Sequence, residues 1–448
     1  MKNKQKILDG IKRNNITVVR FQWIGTDLLL RTMIAHSDYV EDSVMRGIGI
    51  TKAIQSSSAW DTLAAGGFGP ESGEFKIVPD CDTFAVVPYT PRTGRFICEL
   101  CDENLKPTDT DPRYFLRRVL DRAEEMGYRP MAACESEFNI FTKDGDKLIP
   151  LEDLGTGSPL AIDIANPLLQ EWISSLSEMN VKVERVKKEG GEGQLELVLR
   201  YANALKAADD MATLRDVAKG VALRHGYSVT FMPKIFRFPN GMHIHMSLWD
   251  VNKSKNTFAD SSDENGLSEC AYHFVGGILK NMKALCALAA PLPTSYRRLL
   301  PGTWAPSYVY YGFDNRAAAI RVPSQSVPKR EDATRIEYRL PDPTANPYLA
   351  LGSAIACGLE GIKRKEDPGD ALNVDASKLD ERELENLHLE RLPSTLMEAL
   401  AELKKSSFLC EVLGKSLLDT YIRNRELEWR AYMEHVSEWE IRSYIDHF

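Results

Sequence analysis

Three short runs limit what this chain can become: Glu135-Ser136-Glu137, His243-Ile244-His245 and Arg335-Ile336-Glu337-Tyr338-Arg339. In each, polar side chains recur every second residue. In a β-strand residues i and i+2 face the same way, so each run would put its charges on one face. Apolar residues fill the alternate positions: Phe138 and Ile140 follow the first run, Ile244 separates the histidines, and Ile336 and Tyr338 separate the charges. Strands of this kind line a cavity with one face and turn the other to a core. A lone Glu-x-Glu would normally be a solvent-facing strand edge. Met131-Ala132-Ala133-Cys134 before it and Phe138 after it argue against that here. A fourth run, Glu189-Gly190-Gly191-Glu192-Gly193-Gln194-Leu195-Glu196, has a glutamate at each end and glycines that let backbone approach a ligand. Taken alone it also reads as a hairpin turn with charged flanks. Five carboxylates and an imidazole converging on one cavity repel one another unless cations lie between them. Mostly oxygen ligands point to Mg²⁺ or Mn²⁺.

Arginines accompany the carboxylates. Arg298 lies in Tyr296-Arg297-Arg298-Leu299-Leu300-Pro301-Gly302, Arg316 and Arg321 bracket Ala317-Ala318-Ala319-Ile320, and Arg335 and Arg339 bracket Glu337. Each alone would be a surface ion pair. Together, their bidentate geometry suits phosphate and substrate carboxylate. Divalent metal, anionic phosphate and an acidic substrate in one site describe phosphoryl-transfer chemistry.

At 448 residues the chain is long enough for two domains, and Pro107-Thr108-Asp109-Thr110-Asp111-Pro112 marks the boundary. Residues 1–105 read as a small α+β unit: a helix over 5–14, a hairpin over 16–35, a helix over 38–46, and strands at 75–78, 84–88 and 95–101. The Gly- and Ser-rich stretch 47–73 reads as a long loop. Asp111 caps a helix with Pro112 at its first position, and Gly127 ends it. In 106–448, strands fall near 130–141, 181–187, 193–200, 228–232, 241–249, 307–312, 317–323 and 333–340. Helices fall near 165–179, 204–225, 266–288 and 345–364, and 393–448 is helical and amphipathic. A formal net charge of −8 gives no reason to expect nucleic acid. No apolar run approaches the ~18 residues of a membrane span. The eight cysteines are scattered apart from Cys98 and Cys101, which read as unremarkable thiols in a strand. Together with a polar N-terminus, this places the chain in the cytoplasm.

Read in order, these runs resemble the glutamine synthetases and their glutamate–amine ligase relatives. The resemblance rests on Ile77-Val78-Pro79-Asp80, Glu135-Ser136-Glu137-Phe138, Gly193-Gln194-Leu195-Glu196, Gly241-Met242-His243-Ile244-His245, Ser295 to Gly302, Asn315-Arg316, and Arg335 to Pro343 with Asn346-Pro347-Tyr348. It covers essentially the whole chain. It implies an α+β fold, with an N-terminal β-grasp domain (1–105) and an α/β catalytic domain (106–448) built on a curved, mostly antiparallel sheet. It implies a homo-oligomer, a dodecamer of two stacked hexameric rings, with each site between neighbouring subunits. By position, Glu137, Glu189 and Glu196 resemble the ligands of one metal, and Glu135, His243 and Glu337 those of a second. His245, Ser247, Arg321 and Arg335 match ATP-contacting positions. Arg298 and Arg339 match the arginines that hold the acid, and Arg316 the one that meets the transferred phosphoryl group. The implied reaction makes an acyl phosphate from a carboxylate and ATP, which an amine nitrogen then opens.

The departures cluster on one task. Ammonia-using relatives carry a glutamate on a flap after the Pro-Gly; here Pro301-Gly302-Thr303-Trp304-Ala305-Pro306 puts Trp304 there. A second acidic residue precedes a Ser-Ser pair in the N-terminal loop; here Gln55 stands nearest, before Ser56-Ser57-Ser58. Without these anions NH₄⁺ binds poorly, whereas an organic amine gains apolar and cation–π contact with Trp304. The pattern resembles the branch that makes γ-glutamyl amides. Phe238-Pro239-Asn240 replaces an Asn/Gly-rich stretch that holds the amino group of glutamate, so the acid itself stays open. Lys187 stands where a histidine is common, and Asn386-Leu387-His388 lacks the tyrosine that some bacterial relatives adenylylate. Three other readings are an authentic glutamine synthetase with an unusual ammonium site, a non-catalytic relative, and a guanidino-phosphotransferase on the same fold.

Overall fold

The computed structural model describes residues 2–324 and 330–448. Its first sheet runs Leu30–His36, Val18–Ile24, Thr93–Cys101, Glu74–Pro79, Ile48–Thr51, with Ala85–Val86 added on the Thr93 strand. Ile7 and Ile11 of the helix Lys2–Arg13 pack on Val19, Phe21, Phe96 and Leu100 to give this sheet its own core. Ile24, Leu28, Val87 and Tyr89 instead join the larger core of the rest of the chain.

The second sheet has ten strands. Its main path is Tyr311–Phe313, Ile320–Val322, Ile336–Tyr338, Met242–Asp250, Tyr128–Asp144, Gln194–Leu199, Val183–Lys188. All neighbours on this path are antiparallel except the first pair. The class is therefore the anticipated α+β, with a curled, mostly antiparallel sheet. Tyr128–Asp144 is the spine, a 17-residue strand that also pairs with Lys147–Pro150, Ala202–Asn203 and Ser228–Thr230.

Alternation explains why the sheet has two different faces. Phe138, Ile140, Leu195, Leu197, Ile244, Met246, Ile336 and Tyr338 all point into one core with the helices Pro112–Glu125, Ala204–Arg224 and Pro347–Arg364. Each such large side chain contributes roughly 1.5–3 kcal/mol when fully buried. The intervening residues face the cavity. The helix Pro112–Glu125 starts as its sequence predicts: Asp111 accepts from the Arg113 and Tyr114 amides, and Gly127 has φ +85°. The two sheets meet through charge. The buried Arg113 guanidinium reaches Asp80 (2.7 Å), Glu99 (2.7 Å) and Asp209 (2.9 Å), tying the first sheet to the helix Ala204–Arg224.

Several expectations shift. The stretch 47–73 is not all loop: Ile48–Thr51 is a strand paired antiparallel with residues 74–77, reached through Gly47 at φ +65°. The helix anticipated over 266–288 is two, Glu269–Lys280 and Met282–Ala289. They divide at Asn281, whose side-chain amide donates to Gly277 O. The strand expected at 307–312 lies at Tyr311–Phe313, because backbone at 307–309 bonds to residues 390–392 instead. The strand Lys147–Pro150, a hairpin over Gly145, was not anticipated. The region 393–448 is four helices, Leu396–Lys405, Ser407–Leu413, Lys415–Glu434 and Glu438–Tyr444. No described helix is long and apolar enough to cross a membrane. All eight cysteines, Cys98 and Cys101 among them, are free thiols.

Candidate active site

Strand register assembles the site. Arg321 lies opposite Glu337, and Glu337 opposite His245. Two residues back along its strand, His243 lies opposite Glu135. Two residues on from Glu135, Glu137 lies opposite Glu196, and Glu196 opposite Lys187. Directly opposed residues project to the same face of a sheet, so these groups form one diagonal row across six strands. The loop after Val183–Lys188 adds Glu189. It is held from beneath by the buried Lys188, whose ammonium donates to Glu189 O (2.8 Å) and Gly191 O (2.5 Å) and pairs with Glu152 (3.3 Å). Gly193, at φ +56°, lies so close to Ile140 O that any Cβ there would collide with it.

The row borders a cavity of about 1160 Å³. That volume exceeds the usual single-ligand pocket of roughly 300–1,000 Å³ and leaves room for a nucleotide and a second substrate. Every residue given a site role from the sequence lines it except Ser247, Gln55 and Asn240. Ser247 is buried beyond the wall, bonded to the Tyr201 hydroxyl (2.5 Å) and to the Trp249 indole N–H (3.2 Å). Gln55 is fully buried in its own chain. Its side chain accepts from Thr26 and donates to Thr110 O, away from this cavity.

At one end Glu337, 1% exposed, lies 2.5 Å from Arg339 and 2.6 Å from Arg321. Burial acts to raise its pKa, but Arg339, His243, His245 and Arg321 outweigh it and hold the carboxyl well below its usual range. Arg335 Nε donates to His245 Nδ1 (3.0 Å), and His245 Nε2 lies 3.1 Å from Glu135. At the other end burial, then the neighbouring Glu189, raises Glu137 to about 7. Burial, then Glu135, Glu137 and Glu189, raises Glu196 to about 8. Burial, reinforced by Arg339, pushes His243 far down, so its imidazole is neutral and free to act as a ligand.

Glu137, Glu189 and Glu196 bring ligand oxygens within 4.8 Å of one another. Glu135 and His243 form such a group with Glu196, and Glu135 and Glu337 form one with His245. Glu135, His243 and Glu337 thus lie together, but not as one compact trio: His243 Nδ1 is 3.6 Å from Glu337. The donor set fits hard divalent ions, because buried carboxylates driven up to about 7 and 8 are the ones a cation would settle.

Arg298 is buried, with its guanidinium on Leu340 O (2.7 Å) and Arg339 O (2.8 Å). Arg316 lines the cavity with no side-chain partner among the described residues. Trp304 is 76% exposed on the cavity wall, in a left-handed conformation (φ +61°) just after Gly302 (φ +79°). Such a backbone is uncommon for a bulky residue, and strain of this kind clusters at functional sites. Phe238, 40% exposed, lines the same cavity. The sequence did not single out Arg185, Lys234, Arg237 or Thr156, which also line it. Arg185 sits two residues before Lys187 and was legible by the same alternation. The other three lie in loops, where no period exists to read.

Known proteins bear on this arrangement. The family model "Glutamine synthetase, catalytic domain" matches residues 109–444. The chain is 35% identical over 444 residues to a glutamine synthetase of Thermotoga maritima, covering 97% of this chain and 98% of that one. It is 39% identical over 410 residues to that of Thermococcus kodakarensis, covering 88% and 90%. Among solved structures, a GmaS/ADP complex superposes with a TM-score of 0.87 at 28% identity, over 98% of this chain and 99% of that one. A "novel glutamine synthase homolog" superposes at 0.83 and 27% identity, over 97% and 99%.

Proposed function

Because this chain belongs to the glutamine synthetase family, we propose that it is an ATP-dependent ligase joining the γ-carboxylate of glutamate, or a related acid, to an organic amine. It is a carbon–nitrogen ligase of that family, whose members use ATP with Mg²⁺ or Mn²⁺. In the proposed reaction a carboxylate oxygen attacks the γ-phosphorus of ATP. The bond to the bridging oxygen breaks, leaving an acyl phosphate and ADP. The amine nitrogen then adds to the acyl carbon, phosphate departs, and the nitrogen gives up a proton.

We assign Arg298 and Arg339 to the acid, and His245, Ser247, Arg321 and Arg335 to the nucleotide. For Ser247 that contact would pass through the Tyr201 hydroxyl it bonds. Arg316, whose guanidinium has no protein partner among the described residues, is free to meet the transferring phosphoryl group. Glu137, Glu189 and Glu196 would hold one divalent ion, and Glu135, His243 and Glu337 another. When bound, the ions neutralise phosphate charge. The walls exclude water from an acyl phosphate that water would hydrolyse.

Trp304 carries the choice of amine. The run from Pro301 to Pro306 presents an exposed indole to the cavity and no carboxylate. Ammonium needs anions or several hydrogen-bond acceptors, whereas an alkylamine gains from the ring face. Phosphate release with glutamate, ATP and a panel of nitrogen donors tests this: alkylamines should give higher kcat/KM than ammonium. The second reading, a glutamine synthetase using ammonium, is favoured by the name that the full-length relatives share. It takes over if ammonium gives the highest value. We also propose that the working form is a dodecamer of two six-membered rings, as members of this family typically oligomerise. A sedimentation mass of twelve chains would support it and a monomer mass would refute it. The eight free thiols suit a reducing compartment such as the cytoplasm.

A further inference from the structure

The carboxylate end of the cavity already contains a cation. Lys187 projects from the strand Val183–Lys188 directly opposite Glu196, which is itself directly opposite Glu137. Its ammonium lies 2.5 Å from Glu189 Oε1. One side chain therefore pairs with Glu189 and stands beside Glu196, two of the three carboxylates of the Glu137, Glu189 and Glu196 group. Two residues earlier, on the same face, Arg185 pairs with Glu135 at 3.3 Å. The Lys187 side chain is 45% exposed, against 15% for Glu189, so it approaches from the solvent side. Its flexible stem can swing away without disturbing the sheet.

A divalent ion held by this group, once its carboxylates are ionised, faces three negative charges and one positive charge. It must break the Lys187–Glu189 pair, and it is repelled by the ammonium until that side chain moves. Both effects oppose binding, and both vanish if the charge at position 187 is removed. We propose that Lys187 is a tethered competitor for the divalent ion at Glu137, Glu189 and Glu196: a resident counter-ion that the incoming ion displaces. The group consequently holds its ion more loosely than three carboxylates alone would. This holds whichever nitrogen donor the enzyme uses. It concerns ion affinity, which can be measured without turnover.

The test is Mn²⁺ binding to full-length protein freed of metal by chelation. Calorimetry would be read alongside the electron-paramagnetic signal of free Mn²⁺. Lys187→Gln should bind the ion roughly ten-fold more tightly than wild type, the size of effect expected from removing one nearby like charge. Lys187→Arg, which keeps the charge, should stay within about two-fold of wild type by the same reasoning. Lys187→Ala should repeat the gain of the glutamine variant, and it replaces that variant if the glutamine fails to fold. Equal affinity in wild type and the neutral variants overturns the proposal. Weaker binding in the neutral variants overturns it too, and would make the lysine a support of the carboxylate group. If neither neutral variant folds, Lys187 is a structural residue and the proposal fails.

Discussion

Glu337 and Glu196 stand on the same sheet face, yet their surroundings could hardly differ more. Glu337 has Arg339 at 2.5 Å and Arg321 at 2.6 Å, with two imidazoles near it. Glu196 has Glu135, Glu137 and Glu189 around it, and the half-exposed Lys187 is the cation that offsets them at Glu196. One end of the cavity carries more cations than carboxylates. The other is an anion cluster that must take protons or a metal. The contrast shows how a single row can serve two partners: the arginine-rich end suits phosphates and carboxylates, and the glutamate-rich end suits a divalent ion.

The strongest way to break this comparison is to neutralise one carboxylate at each end. Glu337→Gln takes from the buried Arg339 and the half-buried Arg321 their shared partner, and should destabilise the protein by ~3–5 kcal/mol. Denaturant unfolding of metal-free protein checks it.

Next in size is the effect of metal and pH. Burial, then Glu135, Glu137 and Glu189, pushes the Glu196 carboxyl up to about 8 in the folded chain, far above the ordinary carboxylate range. The folded state therefore binds more protons than the unfolded state across that window, and the metal-free protein loses stability as pH rises through it. Mg²⁺ needs the ionised carboxylates, so its stabilisation should be larger at pH 8 than at pH 6, reaching about 2.7 kcal/mol at a hundred-fold excess over Kd. Thermal melts with and without a chelator at both pH values would show it. Glu337 slopes the other way. Its pKa is depressed, so its contribution is present above the ordinary carboxylate range and lost only in strong acid.

Glu196→Gln removes one of the crowded charges and should stabilise the metal-free protein at pH 8 by ~1–2 kcal/mol, the opposite sign to Glu337→Gln. The same unfolding titration reads it. The smallest effect is at the wall. Trp304→Ala should raise the KM for an alkylamine by roughly five- to ten-fold, the worth of a cation–π and apolar contact, and leave the KM for ammonium unchanged. Steady-state phosphate release measures both.

Much of this face was legible because a strand's period is two. Glu135 and Glu137, His243 and His245, and Glu337 with its flanking arginines announce a shared face before any coordinate is known. Their pairing was not legible, since it depends on register between strands more than a hundred residues apart, such as His243 opposite Glu135. The grouping of Glu135 with His245 and Glu196 followed from that register and not from spacing. Gln55 shows a different limit. Its position before three serines suggested a place near the nitrogen donor, yet its side chain is buried on Thr26 and Thr110. The strand Ile48–Thr51 was hidden because glycines on either side of Ile48 read as loop, although Ile48 and Ile50 alternate correctly.

The nitrogen donor is the decisive point, and a one-pot competition tests it most directly. The enzyme would be given glutamate, Mg²⁺, ATP and equal concentrations of ammonium and a small alkylamine, and the amides quantified by mass spectrometry. The product ratio equals the ratio of kcat/KM values at equal free concentrations. A wall built around Trp304 predicts that the γ-glutamyl alkylamide predominates. Glutamine as the main product would contradict it.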